Sequence, residues 1–186
     1  GLSGGVDSTV AALLLREAGW NVIGLTFDPG RGCAAAGAPR AADEARQVAR
    51  RLGIPHVALE LSAEFEREVL AYVRREYRLG RTPNPCAVCN PRLKFGLLLQ
   101  RARDAGLVFD RFATGHYARI RAASGGGPVG LMRGVDADKD QSYFLARLTQ
   151  EQLRLALFPL GERTKGEVRR LAQEAGFGDR AARPES

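Results

Sequence analysis

The chain has 186 residues, 45% of them hydrophobic and 26% charged, with a formal charge of +7 and a pI near 9.9. That length supports one substantial core, so residues 1–186 are expected to form a single domain, while the absence of any run near the roughly 18–20 apolar residues of a membrane span, or of a signal peptide, argues against a membrane partner. The positive charge suits a polyanionic partner, and an odd number of cysteines (Cys33, Cys86 and Cys89) speaks against a disulfide framework and for a reducing, cytoplasmic setting.

In chain order, the first informative stretch is Gly1-Leu2-Ser3-Gly4-Gly5-Val6-Asp7-Ser8, followed by the apolar run Val10 to Leu15. Two adjacent glycines allow a tight turn, and Asp7, Ser8 and Thr9 are candidates to start and cap a helix over 8–18 that Gly19 ends. Backbone N–H groups at a helix start, with Ser3 and Ser8 hydroxyls beside them, would make a phosphate cradle. Its spacing is neither that of the common P-loop nor that of a dinucleotide fold. The competing reading is a glycine turn that only begins a helix.

Residues 22–27 then read as a buried strand. A loop rich in Ala, Gly and Pro carries Cys33 and leads to a helix over 41–52, with Ala45, Val48, Ala49 and Leu52 on one face. Residues 56–61 form the next strand, and Ser62 can cap a helix over 63–77 whose inner side holds Phe65, Val69, Leu70 and Val73. This alternation predicts an α/β fold, a parallel twisted sheet with helices on both faces that binds ligands at the carboxyl ends of its strands. In such a unit the glycine turn should follow a buried strand, so the chain reads as part of a longer protein.

Residues 80–91 form a turn-rich loop containing Cys86-Ala87-Val88-Cys89. Asn90-Pro91 is a helix-start pair, which would put Cys89 just before a helix over 92–105. The positive helix end, Arg92 and Lys94 should then lower its thiol pKa and make it a nucleophile. Spacing alone leaves zinc binding, a redox dithiol, an iron–sulfur cluster or two inert thiols open. A short strand over 111–114, a β-hairpin formed by 117–121 and 129–133, and a helical C-terminal extension complete the pattern. Thr149-x-x-Gln152 and Thr164-x-x-Glu167 are capping boxes that place its helix starts.

The Ser3-Gly4-Gly5-Val6-Asp7-Ser8 signature resembles that of the PP-loop ATP pyrophosphatases. Together with Gly80 to Pro85, Cys89-Asn90, Leu93-Lys94-Phe95, Ala113 to Tyr117, Lys139 to Leu145 and Leu157 to Glu162, the chain resembles the bacterial tRNA-specific 2-thiouridylases over nearly its whole length.

That resemblance implies ATP bound by Gly1, Leu2, Ser3, Gly4, Gly5, Val6, Asp7 and Ser8, with Phe27 and Gly115 flanking the nucleotide and Mg²⁺ on its phosphates. It implies Cys89 as nucleophile, with Cys86 as an acid substitute, second sulfur carrier or cluster ligand. Asn84, Pro85 and Cys86 would approach the target base, and His116, Lys139, Asp140 and Gln141 would contact tRNA. The partners implied are tRNA and a persulfide sulfur donor protein, and an iron–sulfur cluster is admitted. No residue is assigned to a resident metal. A second catalytic cysteine and further tRNA-binding domains belong to the family pattern beyond Ser186.

Overall fold

The computed structural model describes residues 1–30, 41–122, 125 and 127–182. Cys33 and part of the glycine-rich hairpin turn lie outside them. Helix α1 (Val6–Glu17) is followed by Gly19 at φ +83° and strand β1 (Gly24–Asp28). Helix α2 (Ala41–Leu52) crosses to β2 (His56–Glu60), which pairs with β1 in parallel, Gly24 opposite His56. The predicted face of α2 is buried, and its acidic first turn and basic last turn complement the helix dipole.

The predicted helix over 63–77 is three segments: α3 (Ser62–Phe65), a π-helix π1 (Glu66–Leu70) and α4 (Ala71–Arg78). Ser62 does not cap it; its hydroxyl donates to Glu60 Oε1 at 2.9 Å, and Leu61 takes the cap position. The next helix also differs from expectation. It begins ahead of Asn90-Pro91 with α5 (Pro85–Cys89), continues as an eight-residue π-helix π2 (Asn90–Leu97) and ends as α6 (Leu98–Asp104). Asn84 is the cap, accepting from Ala87 N at 3.1 Å, with Pro85 at the first helical position.

Strand β3 (Phe112–Ala113) pairs in parallel with β6 (Ala156–Leu157), and β4 (Ala118–Arg121) with β5 (Gly130–Arg133) forms the expected antiparallel hairpin. Helices α7 (Gln150–Leu155), α8 (Lys165–Glu174) and α9 (Gly178–Ala181) make the extension, and both capping boxes close reciprocally.

The two parallel pairs are joined by the extended residues at 1 and 2. Leu2 N donates to Leu25 O (2.8 Å) and the Gly1 amine to Ala113 O (2.6 Å), giving the order β2, β1, residues 1–2, β3, β6. Helices cover both faces of this array. On one side Val10, Val48 and Val168 bring α1, α2 and α8 together; on the other Phe95, Leu98 and Leu99 pack with Leu25, Phe112 and Ala156. Each fully buried side chain of this size contributes about 1.5–3 kcal/mol, enough for tertiary contact rather than helix propensity to seat these helices. An apolar cavity of about 210 Å³, lined in part by Trp20, Ile23, Leu107, Val108 and Leu157, lies between the two pairs near residues 1–2. Among the described residues no helix is long and apolar enough to cross a membrane.

Candidate active site

The glycine turn sits where the sheet's carboxyl edge meets the start of α1. Gly4 adopts φ +84°, and a Cβ there would lie 2.6 Å from Glu44 Cβ and 2.9 Å from Ala45 N. Gly5, not Asp7, Ser8 or Thr9, is the helix cap, and among the described residues no side chain caps α1. The first-turn N–H groups of Val6, Asp7 and Ser8 therefore keep the anion-binding capacity of a helix start. The serine hydroxyls are already engaged. Ser8 Oγ donates to Gly5 O (3.1 Å) and accepts from Ser3 N (3.1 Å), so Ser3 Oγ donates to Ser8 (3.0 Å). Both hydroxyls shape the turn, contrary to the expectation that they would be spare donors.

Groups far along the chain brace this turn, and local sequence gave no sign of them. Lys165, the first residue of α8, is buried and places Nζ 2.7 and 2.9 Å from the two Asp7 oxygens, while Tyr117 OH donates to Asp7 Oδ1 at 2.8 Å. From the other side buried Arg180 donates to Gly4 O (3.3 Å) and Gln47 Oε1 (3.1 Å) and lies 3.5 Å from Glu44. Gly115 closes the front, where a Cβ would fall 2.8 Å from Asp7 C and Ser8 N.

The cysteine helix reverses one prediction. Cys89 is the last residue of α5 within a continuous helical run, not the residue before a helix start, and it is buried against Val69, Leu93 and Phe27. Burial pushes its thiol pKa up, only partly offset by Lys94 and reinforced by Cys86, so the expected lowering does not occur. Cys86, second in α5, is exposed. Asn90 is not the N-terminal cap of this helix; its Nδ2 donates to Phe144 O (3.1 Å), and its buried Oδ1 has no partner among the described residues.

Phe27 at the end of β1 packs with Phe65 (centroids 5.6 Å apart) and Cys89, linking the strand edge to the thiol. Thr114 and His116 follow β3, with Thr114 Oγ1 2.8 Å from His116 Nδ1. Burial, then Lys94 and the Gly1 amine, lower the His116 pKa to about 3, so it is a neutral imidazole at physiological pH. Lys94 is thus felt electrostatically at Gly1, His116 and Cys89, yet it makes no hydrogen bond or salt bridge among the described residues. Its electrostatic influence thus reaches both the amine that opens the glycine segment and the thiol of the cysteine helix.

Asp140 and Gln141 are turned inward. Gln141 exchanges bonds with the Tyr117 backbone (2.9 and 3.2 Å). Asp140 accepts from Gly134 N and both Ser142 donors. Burial raises the Asp140 pKa, but those bonds and Arg133 more than offset it and hold the carboxyl low. Lys139 N donates to Asp136, whose other oxygen accepts from Lys165 N. This segment therefore braces Tyr117 and Lys165, the two partners of Asp7. Among the described residues no three His, Cys, Asp or Glu side chains gather as metal ligands.

The whole chain, residues 1–186, matches the tRNA methyl transferase HUP domain. It is 46% identical over its full length to a tRNA-specific 2-thiouridylase MnmA from Treponema denticola and 48% identical to the one from Thermus thermophilus. The corresponding protein from Moorella thermoacetica is 49% identical over 95% of the chain. The chain spans about half the length of these relatives, 51%, 52% and 51%. A solved structure described as a predicted subunit of tRNA methyltransferase from Methanocaldococcus jannaschii superposes with a TM-score of 0.52 at 17% identity, over 93% of this chain and 72% of that one, and so shares the fold. With its α/β architecture, braced glycine turn and end-to-end match, the chain belongs to the tRNA methyl transferase HUP domain family.

Proposed function

We propose that this chain is the ATP-binding, thiol-bearing part of a tRNA-uridine 2-sulfurtransferase. Relatives that carry the 2-thiouridylase name support the reading, but the observation that carries it is spatial. The glycine turn follows residues 1–2, which hydrogen-bond to β1, and Phe27 of that same strand packs against the cluster of Cys89, Val69 and Leu93.

Gly1 to Ser8, flanked by Phe27 and Gly115, fit the phosphates through backbone N–H groups, since the serine hydroxyls are committed. ATP with Mg²⁺ would activate the uridine 2-oxygen as an adenylate with loss of pyrophosphate, and AMP would leave as the outer sulfur of a persulfide enters at the carbon, the inner sulfur being taken up in a disulfide with a second thiol. Both Asp7 oxygens face Lys165, so the magnesium fits as a counter-ion arriving with the phosphates. Cys89 is the thiol packed against Phe27, and Lys94 is the cation that favours its ionised form. Exposed Cys86 is the thiol a donor protein reaches first. An iron–sulfur cluster does not fit the described residues, which supply two thiols where three or four are needed.

The test is ATP-dependent transfer of labelled sulfur to tRNA by the full-length protein, with AMP and pyrophosphate released. Cys89→Ser should abolish thiolation and retain ATP binding. A wild-type protein that transfers no sulfur, or a Cys89→Ser variant that transfers it normally, overturns the reading.

A further inference from the structure

Beside the cysteine helix lies a cleft of about 260 Å³ lined by Arg67, Glu68, Tyr72, Arg75, Arg92 and Arg147. Val88, the residue before Cys89, forms part of its wall, and Tyr72 OH accepts from Asn84 N at 3.4 Å. The cleft is therefore built onto the Asn84–Cys89 segment. Two π-helical stretches flank it: π1 carries Arg67 and Glu68, and π2 carries Arg92. Such turns are rare and concentrate where a helix has been reshaped for a task.

The charges are organised. Glu68 accepts from Arg67 (3.0 Å) and from Arg92 (2.8 Å), and these two bonds hold its carboxyl below the usual range against the opposing effect of burial. One carboxylate thus holds two guanidiniums that still carry unused N–H donors. Arg75 is held by Glu76 and stands over the Tyr72 ring at 5.8 Å. Exposed Arg147 makes no hydrogen bond or salt bridge among the described residues. Four guanidiniums set against Glu68 and Glu76 leave a net positive concavity with an aromatic wall.

We infer that this cleft binds the phosphodiester backbone of RNA next to the nucleotide presented to Cys86 and Cys89, an inference that rests on the sulfurtransferase reading above. Planar guanidinium forks match phosphate oxygens bidentately, and Tyr72 offers a face for an unstacked base or sugar. The cleft's concavity favours a phosphate chain over an acidic protein face, which would need a broader contact. Arg67 and Arg92, held by Glu68, give two pre-positioned contacts, and Arg147 gives a third free to reorient.

The experiment measures binding of an unmodified tRNA anticodon stem–loop to the full-length protein across a salt series, alongside ATP affinity. Removing one guanidinium–phosphate pairing should flatten the log affinity against log salt slope by about 0.7–0.9. Arg147→Gln is expected to weaken RNA binding several-fold with that change, Arg147→Lys to restore most of the slope, and Arg67→Gln with Arg92→Gln to flatten it by about twice as much. ATP affinity should not move in any variant, which also reports intact folding. Unchanged RNA affinity and slope in these variants, with wild-type thiolation normal, overturn the cleft assignment and leave the sulfurtransferase reading standing. A defect confined to sulfur delivery from a donor protein, with RNA binding unchanged, overturns it in favour of a protein partner. Failure of the wild type to bind or thiolate tRNA overturns the underlying reading itself.

Discussion

At the glycine turn, a backbone with no capping side chain is fixed by groups from distant parts of the chain: Lys165 and Tyr117 on Asp7, Arg180 on Gly4, Gly115 in front. At the cysteine helix, one local cap is joined by bonds from a distant helix. Asn84 caps α5, and Gln152 Nε2 donates to Pro91 O (2.8 Å) and Phe95 O (3.2 Å), carbonyls of the π2 stretch. The turn is thus made rigid by tertiary contacts. The helix keeps an Asn90 oxygen with no partner among the described residues and a thiol that burial holds protonated. Damage to the first should appear as reduced stability and nucleotide binding, and damage to the second as altered reactivity in a folded protein.

The sharpest way to break that contrast is at Gly4. Gly4→Ala combines a left-handed backbone angle with a contact at 2.6 Å and should destabilise the fold by about 3 kcal/mol in urea unfolding, with ATP binding abolished. Next comes Asp7→Asn, which removes the charge facing the Lys165 ammonium, 7% exposed in its side chain; because Asp7 is 30% exposed the cost should be about 2 kcal/mol rather than the full value for a buried pair. Cys89→Ser should cost about 1 kcal/mol, the penalty of a buried hydroxyl, and Cys86→Ser should leave the unfolding midpoint unmoved.

Reactivity should separate the two thiols. Followed by mass spectrometry, iodoacetamide should modify exposed Cys86 first, with Cys89 lagging and rising only at pH above that of an ordinary thiol, because burial opposes its thiolate. Lys94→Met should move the Cys89 profile further toward alkaline pH, since it removes the one cation that lowers this pKa. A profile that shifts the other way would break the link between the turn and the helix.

The smallest effects belong to the capping boxes. Thr149→Ala and Thr164→Ala should each cost about 1 kcal/mol in thermal or urea unfolding. Only the second lies beside Lys165, so only it should also weaken ATP binding.

What was legible in the sequence was what neighbouring residues decide. Both capping boxes, the buried face of α2 and the β3, β4 and β5 positions follow from spacing a few residues long. The cysteine helix was misplaced because Asn-Pro occurs twice, at 84–85 and 90–91, and both pairs satisfy the same start rule. The first succeeds because Asn84 reaches Ala87 N, while Asn90 is drawn into a bond with Phe144 O. Once the helix begins earlier, Cys89 leaves the positive helix end and its predicted acidity goes with it. Lys165 and Arg180 were invisible for a different reason: each acts across more than 150 residues, and nothing local marks a lysine or arginine for burial. The π stretches escape a search tuned to the α period.

The π2 turn sets the angular phase of everything that follows it. In an α-helix, residues five apart point roughly 140° away from each other. With bonds that skip five residues, they stack. Cys89 and Lys94 are five apart. Deleting one residue among 95–97, so that the segment winds back to the α pitch while the pair stays five apart, would turn the ammonium about 140° away from the thiol. The partnership is therefore encoded in winding, and a change that touches no polar atom could dissolve it.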